Sequence, residues 1–153
     1  MSLADAFPEN IKKDFADRSI DIGKTLLIEI PQFNLSYAKY FIIVALTSTK
    51  VAGVVINTEI NENVAYNEHI RSMHLPISQH SHTFLKYDSY VDCANLHKKP
   101  FDEIYNAIVK NPKIVVGNIT DELLREIHHK ITFSTTITRK DKKEFGFCED
   151  ASS

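Results

Sequence analysis

His80 and His82 stand two apart, at the head of a stretch (His82 to His97, HTFLKYDSYVDCANLH) that crowds Asp, Tyr, Cys and Asn among alternating apolar groups. Imidazoles titrate close to neutrality, so two of them on one side of an extended chain can serve as acid and base in proton transfer. His74 lies six residues before His80 and would widen the cluster toward a metal site. No third or fourth ligand follows at the spacing a tetrahedral ion asks for. The plain alternative is a solvated loop that holds all three rings. Asp88 and Asp92 are four apart, which on a strand puts both on one face with Tyr90 between them. Paired carboxylates can move protons, and aspartates at strand ends also cap turns. Cys93 faces the other way and reads as a small apolar core group. A nucleophilic Cys93 with His97 lacks a third residue to orient the ring. His128 and His129 adjoin on a helix and diverge, near a C-terminus that favours positive charge.

Short strands must position these groups. Tyr40–Leu46 (YFIIVAL) is a continuous apolar run that suits a strand buried on both faces. Val51–Ile56 follows a Thr-Ser-Thr-Lys turn as its hairpin partner, and Gly53 inside it marks a bulge or a close backbone approach. Lys24–Ile30, Leu75–Ser78, Ser89–Leu96 and Lys113–Val116 are further strands, and Ile131–Thr138 is rich in β-branched residues and reads as strand after a helix. A first helix begins after Pro8 and stops before Gly23, with Ile11 and Phe15 on its sticky side. Pro100 opens a second, whose Phe101, Ile104, Tyr105, Ile108 and Val109 share a face. Thr120 caps a third, made amphipathic by Leu123, Leu124, Ile127 and Ile131. Residues 57–74 form a long polar connection with a helical turn around 67–73. Strands cluster before residue 100 without crossover helices, so the fold class is mainly β with helices (α+β), a small, partly open barrel or curled sheet. The chain divides into a helical N-terminal extension (1–19), the barrel (20–138) and a charged, mobile tail (139–153).

With 153 residues and 43% hydrophobic content there is material for one core. A formal net charge of -2 excludes a globally basic nucleic-acid binder, so RNA would need a local basic patch. Two distant cysteines, Cys93 and Cys148, fit neither a disulfide framework nor a four-ligand zinc site, which suits the reduced cytoplasm. No apolar run is long enough to span a bilayer and no signal-peptide pattern opens the chain.

Two segments carry a family resemblance: Asp88-Ser89-Tyr90-Val91-Asp92-Cys93, and Val116-Gly117-Asn118-Ile119-Thr120-Asp121-Glu122-Leu123-Leu124. With the order of the strands around them, over roughly residues 20–135, the chain resembles the MazF/PemK-type toxins, which are small SH3-like barrels. The resemblance implies a dimeric, sequence-selective endoribonuclease. Such an enzyme cuts single-stranded RNA without a metal ion or other cofactor, and an antitoxin protein silences it by docking on the RNA-binding face. Where the family carries a catalytic arginine in an Arg-Pro pair, this chain has Ala38-Lys39-Tyr40. Lys39 keeps the charge but has no bidentate fork for phosphate. Thr58, in Asn57-Thr58-Glu59, matches the family's Thr or Ser after the third strand. Lys39 would be the cation, Thr58 a hydrogen-bond donor to phosphate, and His80 or His82 the acid or base.

For RNA binding, Tyr37, Tyr66 and Tyr87 are the loop aromatics that can stack on unpaired bases, and Lys50, Arg71 and Lys86 can follow the phosphates. Scattered surface lysines would look the same. Two other readings stay open. In one, the same barrel, lacking the arginine, holds RNA or a partner peptide without cutting; in the other, His74, His80 and His82 serve a metal-dependent enzyme.

Overall fold

The protein is described from a computed structural model covering residues 8–28, 38–58 and 68–147. The elements in chain order are α1 (Glu9–Ser19), β1 (Lys24–Ile28), β2 (Lys39–Leu46), β3 (Lys50–Asn57), α2 (Glu68–Ser72), β4 (His74–Ile77), β5 (Ser89–Pro100), α3 (Phe101–Lys110), a 3-10 turn (Pro112–Ile114), β6 (Val115–Asn118), α4 (Asp121–Thr132) and α5 (Arg139–Phe145). The six strands make one antiparallel sheet in the order β4-β5-β3-β2-β1-β6. The sheet curls into a half-barrel, the α+β barrel class expected from the clustered strands.

Alternation along the strands gives the sheet two buried faces. Ile42, Val54, Ile56, Leu75 and Val91 point one way and meet Leu123, Ile127 and Ile131 of α4. Leu26, Phe41, Ile43, Val51 and Val55 point the other way and meet Ala16 and Ile20 at α1 and Ile104 and Ile108 of α3. Burying each such side chain contributes about 1.5–3 kcal/mol, so the twelve-residue amphipathic α4 is held mainly by its apolar stripe. The α1 helix belongs to this second core, with Ala16 fully buried, rather than standing apart as an extension.

The β2–β3 turn closes through Thr47, whose N–H donates to the Lys50 carbonyl and whose Oγ1 accepts from the Lys50 N–H. Gly53 is required by close approach. A Cβ there would stand 2.4 Å from the Phe41 ring and 2.5 Å from the Ile42 carbonyl oxygen. Pairing shifts on either side of it, in β2 and in β5, and four residues of β5 (93–96) stand opposite the single residue Val54.

Four expectations from sequence are corrected. Ile131–Thr138 is not a strand: Ile127 and Ile131 carry the apolar stripe of α4 onward, and Thr132 returns its hydroxyl to the His128 carbonyl at 2.8 Å. Burial of that face outweighs β propensity. The charged tail, expected to be mobile, is folded and packed over its described part. Thr138 caps α5, Gly146 ends it at φ 81°, and Phe145 and Phe147 are buried in the first core. Lys142 secures it by donating to the carbonyls of Thr132 and Ser134, at the C-terminal end of α4. Lys113 and Ile114 form a 3-10 turn, so β6 begins only at Val115. His80 and His82 lie in turns between β4 and β5, not on a strand.

Candidate functional site

Polar groups gather on the second face, at the end of the sheet where β2 begins and β3 ends. Two rows run across the strands. In the first, Ile28 of β1 pairs with Lys39, Lys39 donates to the side chain of Asn57, and Asn57 pairs with Tyr90, itself opposite Pro76. In the second, Leu26, Phe41, Val55, Asp92 and His74 follow one another. Further along β5, beyond its bulge, His97 stands opposite Gly53 and Lys99 opposite Val51. Period-2 alternation sends all of these side chains to one face.

Asp92 organises the arrangement. Its Oδ1 accepts from the Ala94 N–H at 2.9 Å and its Oδ2 from the Asn95 amide at 3.1 Å, which fixes the bulge. His74 Nε2 lies 3.6 Å from the same Oδ1, while its Nδ1 is 3.0 Å from the Ile70 carbonyl oxygen. One carboxylate therefore ties α2, β4 and the β5 bulge together, with the side chains of His74 and Asp92 6% and 10% exposed.

Burial sets the electrostatics. Desolvation lowers the pKa of Lys39 below its ordinary 10.5, partly offset by the negative charge of Asp92. Desolvation also lowers His97 below 6.5; Asp92 opposes this, and Lys99 and Lys39 add to it. The outcome is an ammonium that gives up its proton more readily than a surface lysine, with a neutral imidazole in the layer beneath. Cys93, on the opposite face, is a buried free thiol whose pKa burial pushes up to about 12, as an inert core group would be.

Lys39 and Thr58, the two positions singled out by the family resemblance, lie at the same end of adjacent strands. Lys39 bonds to Asn57, and Thr58 follows it, exposed. Lys86 and Tyr87, both exposed, lead into β5 just before Tyr90 and sit at this same end. Arg71 is exposed on α2, the helix that His74 ties to Asp92. Lys50 starts β3 at the other end of the sheet and pairs with Glu144 at 3.3 Å, so it is not part of the cluster. His80 is exposed in its turn. His82 is buried under the first face: its Nε2 accepts from the Thr120 N–H at 3.1 Å, and its Nδ1 is 3.1 Å from the Ser78 carbonyl oxygen. With both nitrogens engaged, the ring works as a tie between the 78–88 turns and the start of α4. Asp88 accepts from the Gln79 N–H at 2.9 Å and so caps a turn, while Asp92 faces the cluster. Tyr37 and Tyr66 lie outside the described residues.

Asn57 and Lys99 did not stand out in the sequence as site residues, and His97 entered only as a candidate partner of Cys93. A polar residue closing an apolar strand was the available signal for Asn57. His97 and Lys99 lie in a polar run, Leu96-His97-Lys98-Lys99-Pro100, whose alternate burial shows only in the structure, so the sequence held no signal for them. Among the described residues, no group of three or more His, Cys, Asp or Glu side chains could hold a metal ion, so His74, His80 and His82 do not converge. No helix there is long and apolar enough to cross a membrane. No protein-family model and no curated protein matches the chain.

Proposed function

We propose that the chain is a MazF/PemK-like endoribonuclease that cuts single-stranded RNA, without a metal ion, at the Lys39 end of the second face. The supporting observation is the seating of a partly buried Lys39 beside Asn57 and Thr58, with Asp92 and His97 in electrostatic reach. In this reading the substrate 2′-hydroxyl attacks the adjacent phosphorus and the 5′-oxygen leaves. Lys39 stabilises the charge on the phosphorane, and its lowered pKa helps it protonate the leaving oxygen. His97, kept neutral by burial, accepts the proton passed inward from the attacking hydroxyl. Asn57 and Thr58 donate to the phosphate oxygens. Lys86, Arg71 and Tyr87 extend the contact along the strand, the two cations to phosphates and the ring to an unpaired base. The remaining family traits, self-association as a dimer and silencing by an antitoxin protein, belong to the same proposal.

Long unstructured RNA incubated with the full chain in EDTA is the test. Cleavage to fragments ending in 2′,3′-cyclic phosphate is expected, with Lys39→Ala slower by about 100-fold or more, the size of losing one preorganised charge donor. RNA bound but left intact by the wild-type chain would assign the site to binding alone. RNA neither bound nor cut would overturn the proposal.

A further inference from the structure

The bulge in β5 decides which side chains reach the second face. Before it, Asp92 stands opposite Val55; beyond it, His97 stands opposite Gly53, where an unbroken ladder would have put Ala94. The shift is an odd number of residues and side chains alternate with a period of two, so the alternation reverses. His97 and Lys99 turn to the second face, and Lys98 turns to the first, where it meets Asp141 of α5 at 2.8 Å. Asp92 stands where the reversal begins. Its two oxygens hold the Ala94 N–H and the Asn95 amide inside the bulge.

A neutral side chain would be enough for that hold. Asn or Ser bonds a backbone N–H two residues on without carrying a charge, whereas a buried carboxylate needs cations to offset it. Asp92 is nevertheless the one buried carboxylate among the described residues. Nitrogen bases lie around it. His74 Nε2 is 3.6 Å away on β4, and Lys39 reaches from β2 to Asn57, whose partner Tyr90 is two residues from Asp92. Along its own strand follow His97 and Lys99, the latter paired with Glu103 at 3.1 Å.

We infer that Asp92 is the positioning residue of this site: it holds His97 on the second face through the bulge, and it is the fixed counter-charge to Lys39 and to the imidazolium that His97 becomes on taking a proton. It touches no substrate and acts through those two groups. Its part in cleavage rests on the RNA-cleaving reading, whereas its hold on His97 does not.

Asp92→Asn separates the two jobs. The new carbonyl oxygen can accept from the Ala94 N–H, and Asn95 can turn its amide oxygen to the new NH2, so the bulge keeps its ties while the charge is gone. In an NMR titration of the full chain without RNA, the His97 ring of this variant is expected to titrate at lower pH than in the wild type. Asp92 holds that ring up against desolvation, Lys99 and Lys39. The cross-strand contact between His97 and Gly53 is expected to stay. In cleavage both limbs of the pH profile should move to lower pH, because Asp92 also raises Lys39; a merely structural tie would move neither. Asp92→Ala removes the ties as well. It is expected to lose the Gly53 contact and about 100-fold in kcat, the cost of a group displaced by about 1 Å. Asn95→Ala, at an exposed position, removes one tie alone and should weaken the same contact without moving the titration. Two results overturn the proposal: a His97 titration unchanged in Asp92→Asn, or a Gly53 contact as strong as in the wild type in both alanine variants. A lowered His97 titration in a chain that cuts no RNA keeps Asp92 in this role and discards the nuclease; cleavage with an unmoved titration keeps the nuclease and discards the role.

Discussion

Against the first face, under α4 and α5, the buried polar side chains are Ser89, Thr132, Ser134 and His82, each hydrogen-bonded to a nearby group, and Thr25, whose hydroxyl has no hydrogen-bond partner among the described residues. Under α1 and α3, the second face buries Asp92, His97 and Lys99, two of them charged. A neutral hydroxyl costs little to bury once it has found a partner, whereas an ionised side chain must be offset by an opposite charge and extra bonds. The first face therefore holds polar groups as structural ties. The second spends stability to keep charges in place, and that expense is what points to chemistry.

The contrast can be tested by unequal damage. The largest effect expected is from Phe147→Ala, which empties a fully buried site on the first face and removes the anchor of α5. A loss of about 3–5 kcal/mol in denaturant unfolding is expected, with cleavage per folded molecule unchanged. A specific loss of activity there would erase the distinction between the faces. His82→Ala removes a ring bonded at both nitrogens and should cost about 1–3 kcal/mol. The cleavage rate of the folded fraction should stay at the wild-type level, in contrast to a catalytic histidine. The smallest effect lies in the pH profile of cleavage. As pH falls through the depressed pKa of His97, below 6.5, the base is protonated and the rate drops. As pH rises through the lowered pKa of Lys39, below 10.5, the ammonium is lost and the rate drops again. His97→Gln should remove the acid limb and leave the alkaline one.

Much of the scaffold was legible in the sequence, and the failures have physical causes. The apolar runs of β2 and β3, the capped α4 and the core placement of Cys93 follow from local pattern, and local pattern is what decides them. The helix at 139–145 does not show in the sequence because its run of charged residues has no apolar periodicity, its apolar anchors, Phe145 and Phe147, sit at its very end, and the contacts of Asp141, Lys142 and Glu144 are tertiary. The Ile131–Thr138 segment was misjudged because a long-range packing face overrode a local preference. At the site, Lys39 and Thr58 entered through the family resemblance, and Asp92 stood out by type. His97 did not, because its neighbourhood exists only once the β5 bulge carries the strand past Leu96 and opposite Gly53. His82 looks like a catalyst in the sequence because its tie to the Thr120 N–H joins residues 38 apart and exists only in the folded chain.

The pairing of β1 with β6 joins Lys24 to Asn118, residues far apart in sequence, while β2 and β3 meet through a short turn. Loop-closure entropy makes such a distant ladder slow to form. A ribosome releasing this chain from its N-terminus would therefore leave the outer edge of β1 open until residue 118 has emerged. Over that interval the β1–β2–β3 meander presents an unpaired strand and a first face that α4 has not yet covered, the condition under which nascent chains pair with one another. Synthesis of the segment from α3 to β6 is thus the interval over which this edge stays open to pairing with another chain.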